Sequence, residues 1–342
     1  NGIAGFEKPC ADYLYVYGED DENFITPTHR DRSNNESRCP FSQEASSNDK
    51  DAKKETIEAY EAVGLTAMLK GNVARARAIM TQIGYTEGDL AYISDDIYNF
   101  QGVANPHLVA KITGGETVLD IGSGLGIDSF LAMRDSGAAD LLPGCVTLQG
   151  KVMVGVDLSE SEVNHATKRA IERGYCPQCF QFIRGDVEYL EEALSTHNLK
   201  MGVFDVCISN GAFCLVPDKK KAFQNVFRAL RPGGRMAIST TTIVSDSLDP
   251  SFQWPVCMRM FASLESIKPM CEEIGFTDLR IVDAESPLED MDVPIEEENT
   301  NDVRGKQRFK IHGRYADQFQ FLEDLDMDEL CKVVTVYGKK PH

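Results

Sequence analysis

The stretch Val118-Leu-Asp-Ile-Gly-Ser-Gly-Leu-Gly126 constrains this chain more than any other. The apolar run Thr117–Ile121 stops at glycines, and a helix-like segment, Ile127–Arg134, follows at once. Strand, glycine turn and helix in that order make the opening unit of an open α/β sheet. The glycines let backbone approach a ligand and let the helix start directly beside the strand. The alternation then continues. Lys151–Val156, Phe180–Arg184, Val203–Ile208 and Arg235–Ser239 read as buried strands, with helices at Ser161–Arg173 and Lys219–Leu230. Repeated βα units predict a mostly parallel sheet with helices on both faces.

Around this core the pattern is looser. Residues 1–50 are polar, with Arg30–Lys50 rich in Ser, Asn and charge, and are expected to be a flexible segment. From Ala52 helical spacing begins, through Ile57, Tyr60, Val63, Leu65 and Met68, and Ala74–Ile83 continues it. Beyond Ser245 only a helix near Ser266–Ile274, an acidic loop at Glu285–Asp302 and a final strand Val333–Tyr337 stand out. The expected division is a flexible segment 1–50, an α/β domain 51–245 with leading helices, and a smaller α+β region 246–342 that caps the substrate.

A formal net charge of −19 repels phosphate backbones, which excludes nucleic acid as a partner class. No apolar run has the length of a membrane span and no basic-then-apolar leader opens the chain, so the expectation is a soluble, cytoplasmic protein with no membrane partner. Ten irregularly spaced cysteines fit a reducing compartment better than a disulfide scaffold. Cys176-Pro-Gln-Cys179 is the only CxxC, and an ordinary turn, a zinc site and a redox pair all remain open for it. No metal site is expected, because no second ligand pair accompanies it.

The glycine loop has GxGxG spacing, not the GxGxxG of dinucleotide binders. Asp120 lies inside the first strand's end, Asp157 ends the second strand, and Gly185-Asp186-Val187 follows the third. Leu230-Arg-Pro-Gly-Gly-Arg235 adds a helix-end turn before the fifth. As a set, over roughly Gly115–Thr241, these features resemble the class I S-adenosylmethionine-dependent methyltransferases. The resemblance implies a Rossmann-like, mostly parallel seven-stranded sheet and S-adenosylmethionine as cofactor. It implies a loop of Gly122, Ser123, Gly124 and Gly126 organised by Asp120, which could also meet the methionine amino group. It implies Asp157 with Leu158 at the ribose, Asp186 with Val187 at the adenine, and Ser209 with Asn210 after the fourth strand.

A longer similarity, from Gly84-Tyr-Thr-Glu-Gly-Asp-Leu90 through Asn105-Pro106, Ile127–Ala132, Ile208-Ser-Asn210 and Val216-Pro-Asp-Lys-Lys220, points to the arsenite methyltransferases and their relatives. That family holds As(III) on cysteine thiolates. Here Val103 and Gly211 stand at two of those positions, while Cys257 fits a third and Cys214 lies three residues past Gly211. The expected acceptor pocket therefore comprises Val103, Ala104, Gly211, Ala212, Cys214, Cys257 and Arg259, and is apolar and roomy. The expected reaction is S-methylation of a small organic thiol or thioether. One example is a thioether carboxylic acid held by Arg259 or Arg314. No catalytic base is assigned, since His107 and His165 are expected at the surface. The alternatives are arsenite methylation and, from another class, a cofactor-binding interaction module without catalysis. The oligomeric state has no sequence signal.

Overall fold

The computed structural model describes residues 73–140, 152–244, 248, 251, 254, 256–284 and 327–342. The expected flexible segment 1–50, the helical spacing at 52–68 and the acidic loop at 285–302 lie outside them. α1 (Val73–Gln82), α2 (Glu87–Tyr92), a 3-10 turn (Ser94–Asn99) and α3 (His107–Ala110) precede the sheet. The sheet itself alternates with helices: β1 (Val118–Ile121), α4 (Ile127–Asp135), β2 (Met153–Asp157), α5 (Glu160–Glu172), β3 (Phe180–Arg184), α6 (Leu190–Thr196), β4 (Phe204–Asn210), α7 (Lys219–Ala229), β5 (Leu230–Ile243). Then come α8 (Val256–Arg259), α9 (Leu264–Ile274), β6 (Thr277–Asp283), α10 (Met327–Leu330) and β7 (Cys331–Lys339).

The seven strands run in the order β3-β2-β1-β4-β5-β7-β6. β1 to β5 pair in parallel, and β7 pairs antiparallel with both β5 and β6. Period-two alternation splits the apolar residues between two faces. Val118, Met153, Phe182, Val206 and Ile208 face Phe130, Met133 and Ala166 on one side. Leu119, Ile121, Val154, Val156 and Ile238 face Phe223, Val226, Ile267 and Cys271 on the other. Each such side chain contributes about 1.5–3 kcal/mol when fully buried. The helices start on polar caps: Thr86 and Asp89 form a reciprocal capping box on α2, Ser159 caps α5 and Asp218 caps α7.

Two differences from the sequence reading have physical causes. β5 extends to Ile243 because β7 covers Thr240, Thr241 and Thr242, whose hydroxyls do not register as an apolar run. β6 carries no strand pattern, since most of its residues are exposed at the sheet edge. The region 246–342, expected as a cap, supplies α9, β6 and β7 to the main sheet. Among the described residues of this region, those around α8, with buried Trp254, Met258 and Phe261, do not join the sheet. No helix among the described residues is long and apolar enough to cross a membrane.

Candidate functional site

A cleft opens above the carboxyl ends of β1 to β4, where open α/β sheets place ligands. Its floor is the glycine loop. Gly122 N–H donates to Val156 O at 2.7 Å, and the backbone turns with φ of +72° at Gly122 and +49° at Gly124. A Cβ at Gly122 would lie 2.1 Å from the Ala212 Cβ, so the loop and the turn after β4 approach as closely as glycine alone allows. Asp157 ties the loop to β2: one oxygen accepts from Gly124 N–H at 2.9 Å and the other from Ser159 N–H at 2.8 Å. Burial raises the Asp157 pKa, and these backbone bonds oppose the rise. Asp120 accepts from Ser129 Oγ at 2.6 Å. Burial, then the neighbouring Asp128 charge, pushes its carboxyl up to about 7.

Opposite the loop lies a strap, Phe100-Gln-Gly-Val-Ala-Asn105, held by Asn210. The Asn210 Oδ1 accepts from Val103 N–H (2.8 Å) and Ala104 N–H (3.1 Å), while Nδ2 donates to Ala104 O (2.7 Å) and Asp128 Oδ2 (2.9 Å). A Cβ on Gly102 would lie 2.1 Å from that Nδ2, so only glycine lets the strap pass. Asp128 also accepts from Tyr85 OH at 2.6 Å and bonds His107 Nε2 at 3.2 Å. His107 is thus built in rather than at the surface, with its side chain only 12% exposed. Burial alone would lower its pKa. Bonding to Asp128 and the charges of Asp128, Asp135 and Asp120 outweigh that and raise it. Burial and Asp128 likewise lift Tyr85 well above the ordinary phenol range.

Of the expected cofactor residues, Asp120, Gly122, Ser123, Gly124, Asp157, Leu158, Asp186, Val187 and Asn210 line the cleft together. Ser209 does not. It is fully buried and its hydroxyl donates to Ile121 O at 2.6 Å, tying β4 to β1. Gly126 stands behind the lining as the N-cap of α4. Among the expected acceptor residues whose side chains are described, only Ala212 reaches the cleft. Val103 and Ala104 are buried beside Val333, and a Cβ at Gly211 would come within 3.5 Å of Val103 Cγ1. Two expected pocket positions therefore adjoin, but valine fills the space between them, so that spot is not roomy. Cys214 is buried with its thiol donating to Gly211 O at 2.8 Å. Arg259 is exposed on α8, and the Cys257 side chain lies outside the described set. Gln101, Asp128 and Glu162 also line the cleft, and sequence reasoning missed them. Their signals were weak: acids in the first turn of a helix ordinarily read as dipole partners.

Asp120, Asp128, Asp157, Glu162 and Asp186 line this cleft, and no Lys, Arg or His among the described residues does. Such a wall complements a cationic ligand and repels a pyrophosphate. Between the acids stand Ile121, Leu125, Val156, Leu158, Val187 and Leu215, suited to an apolar ring. Cys176 and Cys179 are buried in a turn before β3, at the other end of the strands from the cleft. No group of three or more potential metal ligands occurs among the described residues.

Parallel order, reversal at β7 and an acid-lined glycine cleft together define the S-adenosylmethionine-dependent methyltransferase fold. Residues 112–275 match a family model described as a methyltransferase domain, and the chain is arsenite methyltransferase-like. It is 30% identical over 213 residues to an arsenite methyltransferase of Halobacterium salinarum, an alignment covering 61% of this chain and 49% of that one. It is 28% identical over 171 residues to phosphoethanolamine N-methyltransferase 1 of Triticum aestivum, covering 49% of this chain and 30% of that one. The chain thus spans about half or less of the curated relatives it matches. A solved structure of a proposed sarcosine dimethylglycine methyltransferase from Galdieria sulphuraria shares the fold, with a TM-score of 0.50 at 13% identity, covering 86% and 98% of the two chains.

Proposed function

We propose that this protein transfers the methyl group of S-adenosylmethionine to a small, soft acceptor. The observation carrying the reading is the wall of five carboxylates, with no basic side chain among the described lining residues, which suits a sulfonium and an ammonium and opposes a dinucleotide. The fit extends to Ser123, whose buried Oγ has no partner among the described residues and offers a hydrogen bond to a ligand. The lone pairs of Asp157 not used by Gly124 and Ser159 are suited to a ribose diol, and Asp186 with Val187 to the adenine edge. Asp120, Asp128 and Gln101 stand at the opposite end, for the charged amino-acid part. When bound, the cofactor supplies an electrophilic methyl carbon.

For the acceptor, the chain's own residues supply position rather than base catalysis. His107 is spent on Asp128, and no imidazole or amine lines the cleft among the described residues. A nucleophile needing little or no deprotonation fits best, and proximity with in-line alignment would supply most of the rate. A small thioether or thiol has that property. For the thioether carboxylic acid, Arg259 is not among the described residues that line the cleft, and Arg314, the other expected partner of the carboxylate, lies outside the described residues. Arsenite methylation is the second reading, favoured by the Halobacterium salinarum relative, and it would need Cys214 and Cys257.

Calorimetry tests the cofactor reading. S-adenosylmethionine should bind and NAD should not, and Asp157→Ala should weaken binding at least tenfold, about 1.4 kcal/mol. Equal affinity in the variant would defeat the assignment. A labelled-methyl panel of arsenite, thiols, thioethers and amines tests the acceptor. Strong arsenite turnover abolished by Cys257→Ser would leave the second reading standing.

A further inference from the structure

The mechanism above makes no use of Lys219, the first residue of α7. Its ammonium donates to three backbone carbonyls: Cys214 O at 3.2 Å, Met260 O at 2.6 Å, and Val216 O. All three N–H bonds are accounted for, and none goes to a carboxylate. Two of the carbonyls belong to the turn after β4, which gives the cleft its Ala212, Leu215, Val216 and Pro217 wall. The third belongs to Met260, directly after α8, between buried Met258 on that helix and buried Phe261. One side chain thus joins the cofactor wall to the described residues around α8.

The arrangement is unfavourable for a cation. A positive charge in the first turn of a helix opposes the helix dipole. Burial drops the Lys219 pKa to about 8, with the charges of Cys214 and Glu188 partly restoring it. The other charged groups here are Asp218, which caps the helix, and exposed Arg259 on α8. A methionine at this place would fill similar space without charge, so packing alone does not call for lysine.

We propose that Lys219 is a positioning residue that latches the Trp254–Phe261 segment onto the Leu215–Pro217 wall, so that occupancy of the cofactor cleft is transmitted to the acceptor side. The inference rests on the cofactor reading given above. Ligand contact with Leu215 and Val216 steadies the turn that carries the Cys214 and Val216 carbonyls, and the ammonium passes that order to Met260. Deprotonation removes one of the three N–H donors and loosens the latch, so coupling weakens above about pH 8.

The test is amide hydrogen exchange on the full chain, with S-adenosylhomocysteine as the probe. In the parent protein, saturating probe should slow exchange of peptides covering 254–262 at least fivefold. After correction for base-catalysed intrinsic rates, the effect should shrink between pH 7 and pH 9. Lys219→Met should bind the probe and fold, yet show no probe-dependent slowing in 254–262, while Lys219→Arg should restore part of it. Undiminished slowing in Lys219→Met overturns the latch. If that variant does not fold, the parent's pH series decides, and slowing that is constant from pH 7 to pH 9 overturns it. Failure of the parent to bind the probe at all would instead overturn the cofactor reading.

Discussion

Asp120 concentrates the electrostatics of the cleft in one group. It is 2% exposed, faces Asp128, and carries a pKa of about 7. The ligand-free folded protein therefore holds this proton to near neutral pH, whereas an unfolded chain releases it near 4. Its contribution to stability is complete below pH 4 and is lost as pH rises through 7. Asp120→Asn should accordingly raise the unfolding free energy more at pH 8 than at pH 5, by about 2–3 kcal/mol. Denaturant titration of the ligand-free protein at the two pH values measures this. A cationic ligand favours the ionised carboxylate, so affinity for S-adenosylmethionine should rise from pH 6 to pH 8 in the parent and stay flat in the variant. The same pH slope in both would show that Asp120 is not the group that titrates.

At the scale of elements, the strap over the cleft hangs on one side chain. Removing the Asn210 amide strands the Val103 and Ala104 N–H groups and takes a donor from Asp128. Asn210→Ala should cost about 2–3 kcal/mol in denaturant unfolding and weaken cofactor binding, since Gln101 and Gly102 lose their anchor. A loss below 0.5 kcal/mol would mean that the strap is held elsewhere, for instance by Tyr85 OH on Ala104 O. The sequence made parts of this visible and hid others. β1, the glycine loop, Asp157 and Asp186 were legible because a buried strand ending in glycine, or in an acid, is a local pattern. The Tyr85–Asp128–His107–Asn210 cluster was not, because its members come from three elements and a loop and meet only after folding. Ser209 was misread because its place beside Asn210 in the chain says nothing of the face it occupies; period two turns it into the sheet. β6 was missed because an edge strand with mostly exposed side chains lacks apolar alternation.

For the whole molecule, the charge of −19 and the acid wall act in the same direction. Both draw in a cation through a field that salt screens. S-adenosylmethionine carries the sulfonium charge and S-adenosylhomocysteine lacks it. Raising salt from 20 to 500 mM should weaken the first by about threefold more than the second, as expected for a few unit charges screened over a shorter Debye length. Equal salt slopes in parallel calorimetric titrations would show that the wall does not sense the sulfonium. The strand order carries a different consequence, for the route by which the molecule assembles. β6 borders only β7, and β7 also borders β5, yet β7 comes later in the chain than both. Until β7 inserts, β5 and β6 each present unpaired backbone, and closing them requires contacts distant in sequence, which form slowly. That interval is when two incompletely folded copies can pair edge to edge. Refolding yield should therefore fall with protein concentration before any property of the cleft comes into play.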